Sequence, residues 1–511
     1  MKKAIFPLAL AISLAIGILL GCLLTRNAAT QYLLTSKRTN KEAGNKLTEL
    51  LEILDESYVD SLNMDSIAES IVPTLMQQLD PHSSYISAEQ LQAVNDELSA
   101  SFVGIGIQFN VPNDTAIVLE VIPGGPSEKI GLQVGDRLLK VDDKVIAGVK
   151  FPQDSMVRRM KGPAGTRVNI TVGRGREVIP FEITRGKIPT HSVDAAFMVN
   201  DTTGYLRLSK FARTTYSEFA KATLDLMAAG MTHMIFDLRG NSGGFLDQAL
   251  ALADQFLPKG ANIVYMEGLH RKRDTYNASG KGLLQDVGLT VLIDDGSASS
   301  SEIFAGAMQD NGRARIVGRR SFGKGLVQEP IYFTDGSGVR ITVARFYTPS
   351  GRCIQKPYTD DYNYEVFERY GTGEMMEADS MDVSKGGIIP DVFVPVDTTK
   401  ASQFYIACNR KATPMRFASA YFDRHKSELQ AIEDYDSLLK YLDRAGIEAA
   451  FLDYAKAKDG LVPDALEWKD EKQYMLTQVR ALVGRYSKLG DKAFYHLYLQ
   501  TDDIFKKAMG E

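Results

Sequence analysis

The sequence predicts an α/β protein with a layered βαβ core, an inserted β-rich domain and helical segments at both ends. Between residues 190 and 400, strand-like stretches alternate with helix-like ones, as in MTHMIFDL followed by FLDQALALADQFL. Residues 99–186 contain short strand-like runs that are separated by Gly and Pro. Residues 41–98 carry leucine and isoleucine at helical spacing, and the pattern after residue 400 is again mostly helical.

The length of the chain requires several domains. It has 511 residues, whereas a single hydrophobic core rarely grows beyond about 250–300 residues. The composition patterns place the boundaries as follows: residues 1–30 form a signal anchor or transmembrane segment, 41–98 an N-terminal helical region, 99–186 the β-rich domain, 187–400 the α/β core and 401–511 a C-terminal helical region.

Composition excludes several classes of function. The net charge of −5 gives no indication of nucleic-acid binding, because basic residues are dispersed among more numerous acidic ones. Three cysteines and six histidines are too few and too scattered for a disulfide framework or a zinc site. We therefore expect a binding protein or an enzyme that uses neither a metal nor another cofactor.

The N-terminus has the pattern of an export signal. Lys2 and Lys3 precede an apolar run, Ala4–Leu24. A helix of that length spans roughly 31 Å, which matches a hydrocarbon core of about 30 Å. No cleavage site is evident, so the favoured interpretation is an uncleaved anchor. The sequence around Cys22 also resembles a lipoprotein processing box, and this alternative stays open. Either interpretation places the rest of the chain outside the cytoplasm, against a bacterial membrane.

The β-rich segment resembles a PDZ domain. The similarity lies in FVGIGIQF and in the downstream stretch PGGPSEKIGLQVGDRLLKVDDKVI. PDZ domains bind the terminal carboxylate of a peptide with backbone N–H groups of a glycine loop, while the peptide adds a strand to the sheet edge. The resemblance assigns substrate binding to five residues: Phe102, Gly104, Ile105, Gly106 and Ile107. The alternative is a plain β-hairpin whose glycines serve packing.

Two strand–turn–helix units carry the candidate chemistry. In MIFDLRGNSGG a buried strand enters a glycine-rich turn, where free N–H groups can hold a developing oxyanion. A structural turn or a phosphate loop would look similar, although the Walker Lys-Ser/Thr is absent. In VLIDDGSASSSEIFAGAM a serine cluster begins the helix. Such serines are usually helix caps, but the same position also suits a nucleophile.

Lys324, between two glycines, favours the nucleophile. A serine hydroxyl reacts only when a base takes its proton. The nearest histidines in sequence, His233 and His270, lack a suitable context. A lysine serves as the base when burial and a positive neighbour lower its pKa. Phe322, Leu326 and Val327 provide apolar surroundings in the sequence.

Taken together, these motifs resemble the C-terminal processing peptidases, which are serine proteases of family S41 with an embedded PDZ domain. The resemblance covers about residues 45–397, and it also rests on ITVARFYTPSGRCIQ and GGIIPDV. It implies a crotonase/ClpP-like core in which Ser299 is the nucleophile, Lys324 the base and Gln328 a supporting residue. Asp310 would be an aspartate sometimes assigned to the site, although a structural role fits it better.

The resemblance also implies that the backbone N–H groups of Gly243 and Ser300 form the oxyanion hole. Two positions depart from the family pattern. Ser300 replaces the usual alanine after the nucleophile, which makes the choice among neighbouring serines less clear. Ser242 stands where a proline often precedes the glycine pair, which puts the rigidity of that turn in question. Neither departure removes a catalytic atom.

The implied function is an envelope endopeptidase that recognises the C-terminal tail of protein substrates and cleaves near it. One alternative is a non-catalytic PDZ adaptor or holdase, which would be expected to lack the serine or the lysine. The other is a crotonase-like acyl-transfer enzyme, which gives no reason for a PDZ segment or an export signal. Helices at both ends are compatible with a homodimer, and a solvated cap would have the same pattern.

Overall fold

A computed structural model describes residues 41–88, 90–91, 101–111, 114–122, 124–189, 191–359, 362, 364–377, 382–397 and 402–510. The chain divides between Leu75 and Met76 into two compact units. Helix α1 (Lys41–Ser57) and most of α2 (Met64–Gln77) belong to the first unit. Within the described residues, no helix has the length and hydrophobicity needed to cross a bilayer. The predicted anchor at Ala4–Leu24 lies outside these residues.

The β-rich domain is an antiparallel sheet in which the predicted strands form. Its strands lie in the order β3-β4-β5-β7-β8, and β6 pairs with β5. Their bounds are β3 Ile107–Asn110, β4 Ala116–Val121, β5 Arg137–Val141, β6 Lys144–Val145, β7 Arg167–Arg174 and β8 Glu177–Thr184. A separate two-stranded ribbon joins β2 (Ser101–Gly104) to β9 (Gly186–Pro189). Two short helices, α3 (Pro126–Lys129) and α4 (Gln153–Met160), complete the domain.

The α/β core is a six-stranded sheet in the order β10-β11-β12-β15-β16-β19. All neighbouring strands are parallel except β10 and β11. The strands are β10 Val193–Met198, β11 Thr203–Leu208, β12 His233–Asp237, β15 Gly288–Ile293, β16 Arg315–Gly318 and β19 Val392–Phe393. The connecting helices are α5 Thr215–Ala228, α6 Leu246–Asp254 and α7 Ser300–Asp310. The alternation read from the sequence is therefore confirmed, as is the α/β fold class.

Residues that alternate along β12 face two different clusters. Met234 and Phe236 pack with the connecting helices, where Phe236 lies edge to face against Phe304. Ile235 faces the opposite side and packs with Phe505 near the end of the chain. A parallel strand covered on both faces is expected to be continuously apolar, as MIF is.

A second sheet, antiparallel, carries the segment that follows the lysine. Its order is β1-β18-β13-β14, and β17 pairs with β18. The strands are β1 Ser84–Ile86, β13 Asn262–Gly268, β14 Arg271–Asn277, β17 Leu326–Tyr332 and β18 Gly338–Tyr347. Strand β1 lies inside LDPHSSYIS, whose Asp, Pro and Ser residues predict a turn-rich connection. Three residues that pair with a distant strand leave too little periodicity to be recognised in sequence.

The C-terminal region is helical, as predicted, and it packs on the β-rich domain. After α8 (Glu365–Gly371), its helices are α9 Gln403–Arg410, α10 Thr413–Gln430, α11 Tyr435–Arg444, α12 Ile447–Asp459, α13 Ala465–Gly484, α14 Asp491–Tyr498 and α15 Asp503–Met509. Phe422 stacks on Tyr486 with ring centroids 4.5 Å apart. Leu119 of β4 packs against the same cluster. Arg137 of β5 forms a two-point ion pair with Asp423 of α10.

The C-terminal region also contacts the α/β core, through a buried charge cluster at the end of β12. Asp237 is fully buried and accepts hydrogen bonds from Tyr205 (2.7 Å) and Arg239 (2.9 and 2.6 Å). Arg239 also donates to both carboxylate oxygens of Asp502, at 2.8 and 2.7 Å. Burial alone would raise the pKa of Asp237, but the charges of Arg239 and Arg207 hold it well below its usual range. One helical region therefore contacts both the β-rich domain and the core. The exact domain limits predicted from sequence stay a prediction.

Substitution of Gly135 tests the packing between the β-rich domain and α10. Gly135 has φ +87°, and a Cβ there would lie 2.6 Å from Cε1 of Phe422. Gly131 has φ +84° with nothing within 4 Å of its would-be Cβ. Both alanine variants carry backbone strain, but only Gly135→Ala adds a clash, which costs about 1–3 kcal/mol more. We expect the free energy of unfolding, measured with urea, to fall further for Gly135→Ala; equal losses would contradict this packing.

Candidate active site

Two turns of the core meet at the carboxyl ends of neighbouring parallel strands. Strands β12 and β15 are adjacent and parallel, so the turns that follow them lie side by side. Asn241 joins these turns through its backbone carbonyl, which accepts from the N–H of Ala298 (2.9 Å), while its side chain donates to the carbonyl of Leu208 at the end of β11 (2.9 Å). The glycine-rich turn and the serine cluster, separate in sequence, therefore form one structure.

Ser299 immediately precedes α7 in a strained conformation. Its φ is 54° and its ψ is −114°, outside the regions that residues with a side chain usually adopt. Such strain costs about 1–3 kcal/mol and tends to be kept at functional positions. Its serine neighbours are engaged elsewhere, because Ser297, Ser300 and Ser301 each donate a side-chain hydrogen bond to a backbone carbonyl, at 2.8 to 2.9 Å. The geometry favours Ser299 within the cluster.

The predicted oxyanion turn packs tightly against Ser299. Gly243 has φ +99°, and a Cβ there would lie 2.8 Å from the Cβ of Ser299. Its N–H donates to Asn241 Oδ1 at 2.9 Å. The N–H of Gly243 can therefore stabilise an oxyanion only after it has released Asn241 Oδ1. Its oxyanion role stays a prediction. Ser300 Oγ donates to the carbonyl of Gly244 at 2.9 Å, so the departure at Ser300 adds a link between the two turns.

Glu302 connects the serine to the lysine. Its carboxyl group is completely buried and accepts hydrogen bonds from four donors: the N–H groups of Ser299 (2.8 Å), Gly323 (2.8 Å) and Lys324 (2.9 Å), and the hydroxyl of Ser321 (2.5 Å). Burial raises the pKa of Glu302, and these hydrogen bonds oppose that rise. One side chain thus fixes the backbone of both predicted catalytic residues.

The surroundings of Lys324 favour its neutral form. Burial is the largest influence and lowers the pKa of the ammonium, and the positive charge of Arg340 lowers it further. Glu302 and Asp80 act in the opposite direction, but the net pKa remains below that of an ordinary lysine. These are the two influences that a lysine base requires.

Ser299 and Lys324 line a single cavity of about 700 Å³. Several other predicted site residues line it as well, namely Gly243, Ser300 and Gln328. Its walls also contain apolar and aromatic side chains: Ile86, Leu91, Phe211, Phe245, Leu246, Leu326, Val327, Tyr332 and Phe346. The structure therefore brings together the predicted nucleophile, base, supporting glutamine and oxyanion donors in a space large enough for a peptide segment.

Gln328 and Asp310 have different surroundings. Gln328 Nε2 donates to the backbone carbonyl of His82 at 2.7 Å. Asp310 accepts from Arg352 at 2.6 Å and from the N–H of Ser350 at 2.9 Å, and it is not among the residues that line the cavity. Burial alone would raise the pKa of Asp310, but hydrogen bonds from Thr348 and Ser350 and the charge of Arg352 lower it. These contacts agree with the structural role favoured for Asp310.

The predicted peptide-binding loop connects β2 to β3. Gly106 has φ +80°, and a Cβ there would lie 3.0 Å from Cδ1 of Ile188, so the turn requires glycine. Ile105 is buried at 3% exposure and belongs to the core of the domain, so its side chain supports the loop from beneath. Ile107 is half-buried against that core, and Gly104 pairs with Gly186. The side chain of Phe102 lies outside the described part of the structure.

The sequence did not identify several residues around the lysine. His82 was overlooked, although it lies close enough for Lys324 to influence it: burial, followed by the charge of Lys324, lowers the pKa of His82 to about 4. Its Nε2 lies 2.6 Å from the hydroxyl of Tyr362. The polar run Asp80–Ser83 was the available signal, but nothing in the sequence linked it to a lysine far along the chain. Among the described residues, no cluster of ligating side chains could hold a metal ion.

Comparison with known families defines the class of the two domains. Residues 202–364 match the model of peptidase family S41, and residues 103–184 match the model of the PDZ domain. The chain therefore contains one region that matches peptidase family S41 and another that matches the PDZ domain, as the motifs indicated.

Individual relatives carry similar descriptions. The chain is 33% identical over 322 residues to a "Probable CtpA-like serine protease" of Staphylococcus aureus strain MRSA252, a match that covers 62% of this chain and 64% of that protein. A Staphylococcus epidermidis protein of the same description is 33% identical over 312 residues, with coverage of 60% and 62%. The chain thus spans less than two thirds of these relatives. The solved photosystem II D1 C-terminal processing protease aligns at 25% identity and a TM-score of 0.37, over 68% of this chain and 92% of that one.

Substitution of Gly243 tests whether the two turns must pack closely for Ser299 to react. We expect Gly243→Ala to displace the Ser299 side chain and slow its reaction with a small fluorophosphonate by about a hundredfold, as misplacement near 1 Å can do. The matched control is Gly260→Ala, which has φ +84° and open space around its would-be Cβ. Mass spectrometry of the intact protein measures the labelling rate. An unchanged rate in Gly243→Ala would contradict the predicted geometry.

Proposed function

We propose that the protein is a serine endopeptidase that recognises the C-terminal tail of protein substrates and cleaves near it. One observation carries the proposal: the strained Ser299 and the half-buried Lys324 share a cavity and are joined through Glu302. The S41 domain and the similarity to CtpA-like serine proteases support it.

In this mechanism Lys324 acts as the base and Ser299 as the nucleophile. Neutral Nζ of Lys324 takes the hydroxyl proton while Ser299 Oγ bonds to the carbonyl carbon of the scissile peptide. The resulting oxyanion is stabilised by the N–H of Ser300 at the start of α7, and by that of Gly243 once its bond to Asn241 is exchanged. Collapse of the tetrahedral intermediate breaks the C–N bond, and the lysine ammonium returns its proton to the leaving amine. Water then releases the acyl group by the reverse sequence.

The two catalytic assignments are tested by single and double substitutions. We expect Ser299→Ala and Lys324→Ala each to lower kcat by at least about three orders of magnitude and to leave the protein folded. The double variant should lose little more, because the two groups act as a unit. Cleavage of a fluorogenic peptide and the thermal unfolding midpoint are the measurements. Retained cleavage in Ser299→Ala with loss in Ser301→Ala would show that the wrong serine was chosen.

We propose that the PDZ domain selects substrates by their free C-terminal carboxylate. Support comes from the glycine loop at Gly104–Gly106, whose turn requires φ +80° at Gly106 and which precedes β3, an edge strand of its sheet. An added peptide strand on such an edge is the recognition mode of PDZ domains.

Amidation of the substrate tail tests this recognition. Backbone donors left without an anionic partner cost about 1–3 kcal/mol each, so kcat/KM should fall about tenfold or more. Apolar terminal residues should be preferred over Asp or Lys. A small fluorophosphonate has no peptide tail, so its reaction with Ser299 serves as the control that the active site is intact. Equal cleavage of amidated and free tails would contradict the proposal.

We further propose that the protein acts in the bacterial cell envelope, tethered by its N-terminal segment. The support is the apolar run Ala4–Leu24 behind two lysines. Fractionation of cells tests it: recovery in the membrane fraction, with the catalytic domain accessible to added protease after outer-membrane permeabilisation, is expected. Recovery in the cytoplasm would contradict it.

A further inference from the structure

The segment that leads to Lys324 runs between two buried charges of opposite sign. Residues 320–324 lie between β16 and β17 and belong to neither a helix nor a strand. Glu302 accepts from the N–H groups and the hydroxyl of this segment, as described above. The carbonyl groups of the segment face a different side chain, the guanidinium of Arg369 on α8, and Arg369 is only 1% exposed.

Arg369 uses all five of its N–H donors. Nε and one N–H of Nη2 bind the carboxylate of Glu365, both at 2.9 Å. The other three donors reach three consecutive carbonyls: those of Arg320 (3.3 Å), Ser321 (2.9 Å) and Phe322 (3.1 Å). Burial would raise the pKa of Glu365, but hydrogen bonding and charge from Arg369, with Lys356, bring it to about 2. Glu365 therefore stays ionised and keeps the guanidinium oriented.

The peptide group between Phe322 and Gly323 is bound at both ends by these charges. Its carbonyl accepts from Arg369 at 3.1 Å, and its N–H donates to Glu302 at 2.8 Å. A peptide dipole with a cation at its oxygen and an anion at its nitrogen has one strongly favoured orientation, and a dry interior strengthens both bonds. The next N–H along the chain is that of Lys324, which is also bound to Glu302.

We propose that Arg369 is a positioning residue for Lys324: by binding the three carbonyls ahead of it, Arg369 sets the orientation from which the lysine reaches Ser299. The proposal rests on the proposed function of Lys324 as a base. Arg369 lies beyond residue 364, where the match to the S41 family model ends. The positioning group therefore comes from a segment outside the matched region, and it does not line the cavity itself.

Both the charge and the shape of arginine are required. A guanidinium offers five donors in a fixed plane, whereas an ammonium offers three around one atom. A lysine at this position would stay charged, but it could not bind three carbonyls and two carboxylate oxygens at once. Lys356 is the contrasting case, because it is equally buried and also pairs with Glu365 (3.1 Å). Its ammonium otherwise donates to the carbonyl of Tyr362 (2.8 Å), outside the segment 320–324, and it meets the segment at the ring of Phe322, whose centroid is 4.2 Å away.

The test measures the reaction of Ser299 with a small fluorophosphonate between pH 6 and 10 in the full chain. In the unaltered protein the rate rises with pH as Lys324 loses its proton, with a midpoint below that of an ordinary lysine. In Arg369→Gln and Arg369→Lys the segment loosens and water reaches the ammonium, so the pKa of Lys324 returns upward. We expect the maximal rate to fall at least tenfold and the midpoint to move to higher pH in both variants. Millimolar guanidinium should restore part of the rate in Arg369→Ala.

Arg313→Lys is the matched control, since the guanidinium of Arg313 also binds three backbone carbonyls, those of Phe256, Leu284 and Val287, and all three lie outside the segment 320–324. It should lower the thermal unfolding midpoint and leave the pH midpoint unchanged. An unchanged pH profile in folded Arg369→Lys, or the same shift in Arg313→Lys, would overturn the proposal. Hydrogen exchange of residues 319–325 gives a second readout, expected to accelerate in the Arg369 variants. The two readouts separate the two proposals. An unreactive Ser299 in the unaltered protein refutes the protease mechanism, while unaltered hydrogen exchange in the Arg369 variants refutes the positioning role.

Discussion

The site depends on one buried carboxylate. Glu302 is removed from water completely, which costs an ionised group several kcal/mol unless its lone pairs are satisfied. Four donors satisfy it, three of them backbone N–H groups, and hydrogen bonds to a charged group contribute about 1.5–3 kcal/mol each. Because these donors come from both the helix start and the lysine segment, the two parts cannot move independently. The strained conformation of Ser299 is one that such an arrangement can hold.

The remainder of the core supports that carboxylate by fixing the two segments it joins. Asn241 ties the glycine turn to the serine turn through its backbone carbonyl, and its buried amide holds the glycine turn by binding Leu208 and Gly243. Arg369 holds the lysine segment from its carbonyl side. Polar networks of this kind are rigid only when every member is satisfied, so each bond depends on the others.

The sequence identified the elements whose signal is local. Strand, turn and helix follow each other within a few residues around Asp237 and around Ser299, so both units could be predicted, and so could the glycine loop of the PDZ domain. The residues it missed act across the chain: His82 contacts Gln328 from 246 positions away, and Arg369 reaches the lysine segment from 47 to 49 positions away. No periodicity records such contacts. Gly243 illustrates a second limit, because its N–H is bound to Asn241, a detail of side-chain orientation that composition does not determine.

The contact between Arg239 and Asp502 affects the order in which parts of the fold are completed during synthesis. The two residues are 263 positions apart, and synthesis proceeds from the N-terminus. Before Asp502 is made, Asp237 is already present and pairs with both Arg207 and Arg239, but Arg239 still lacks its second carboxylate partner. The turn after β12 therefore lacks part of its electrostatic support until Asp502, 263 positions beyond Arg239, has emerged. The end of the strand that leads into the glycine turn can therefore reach its final set of ion pairs only after the C-terminal helical region that carries Asp502 has been made.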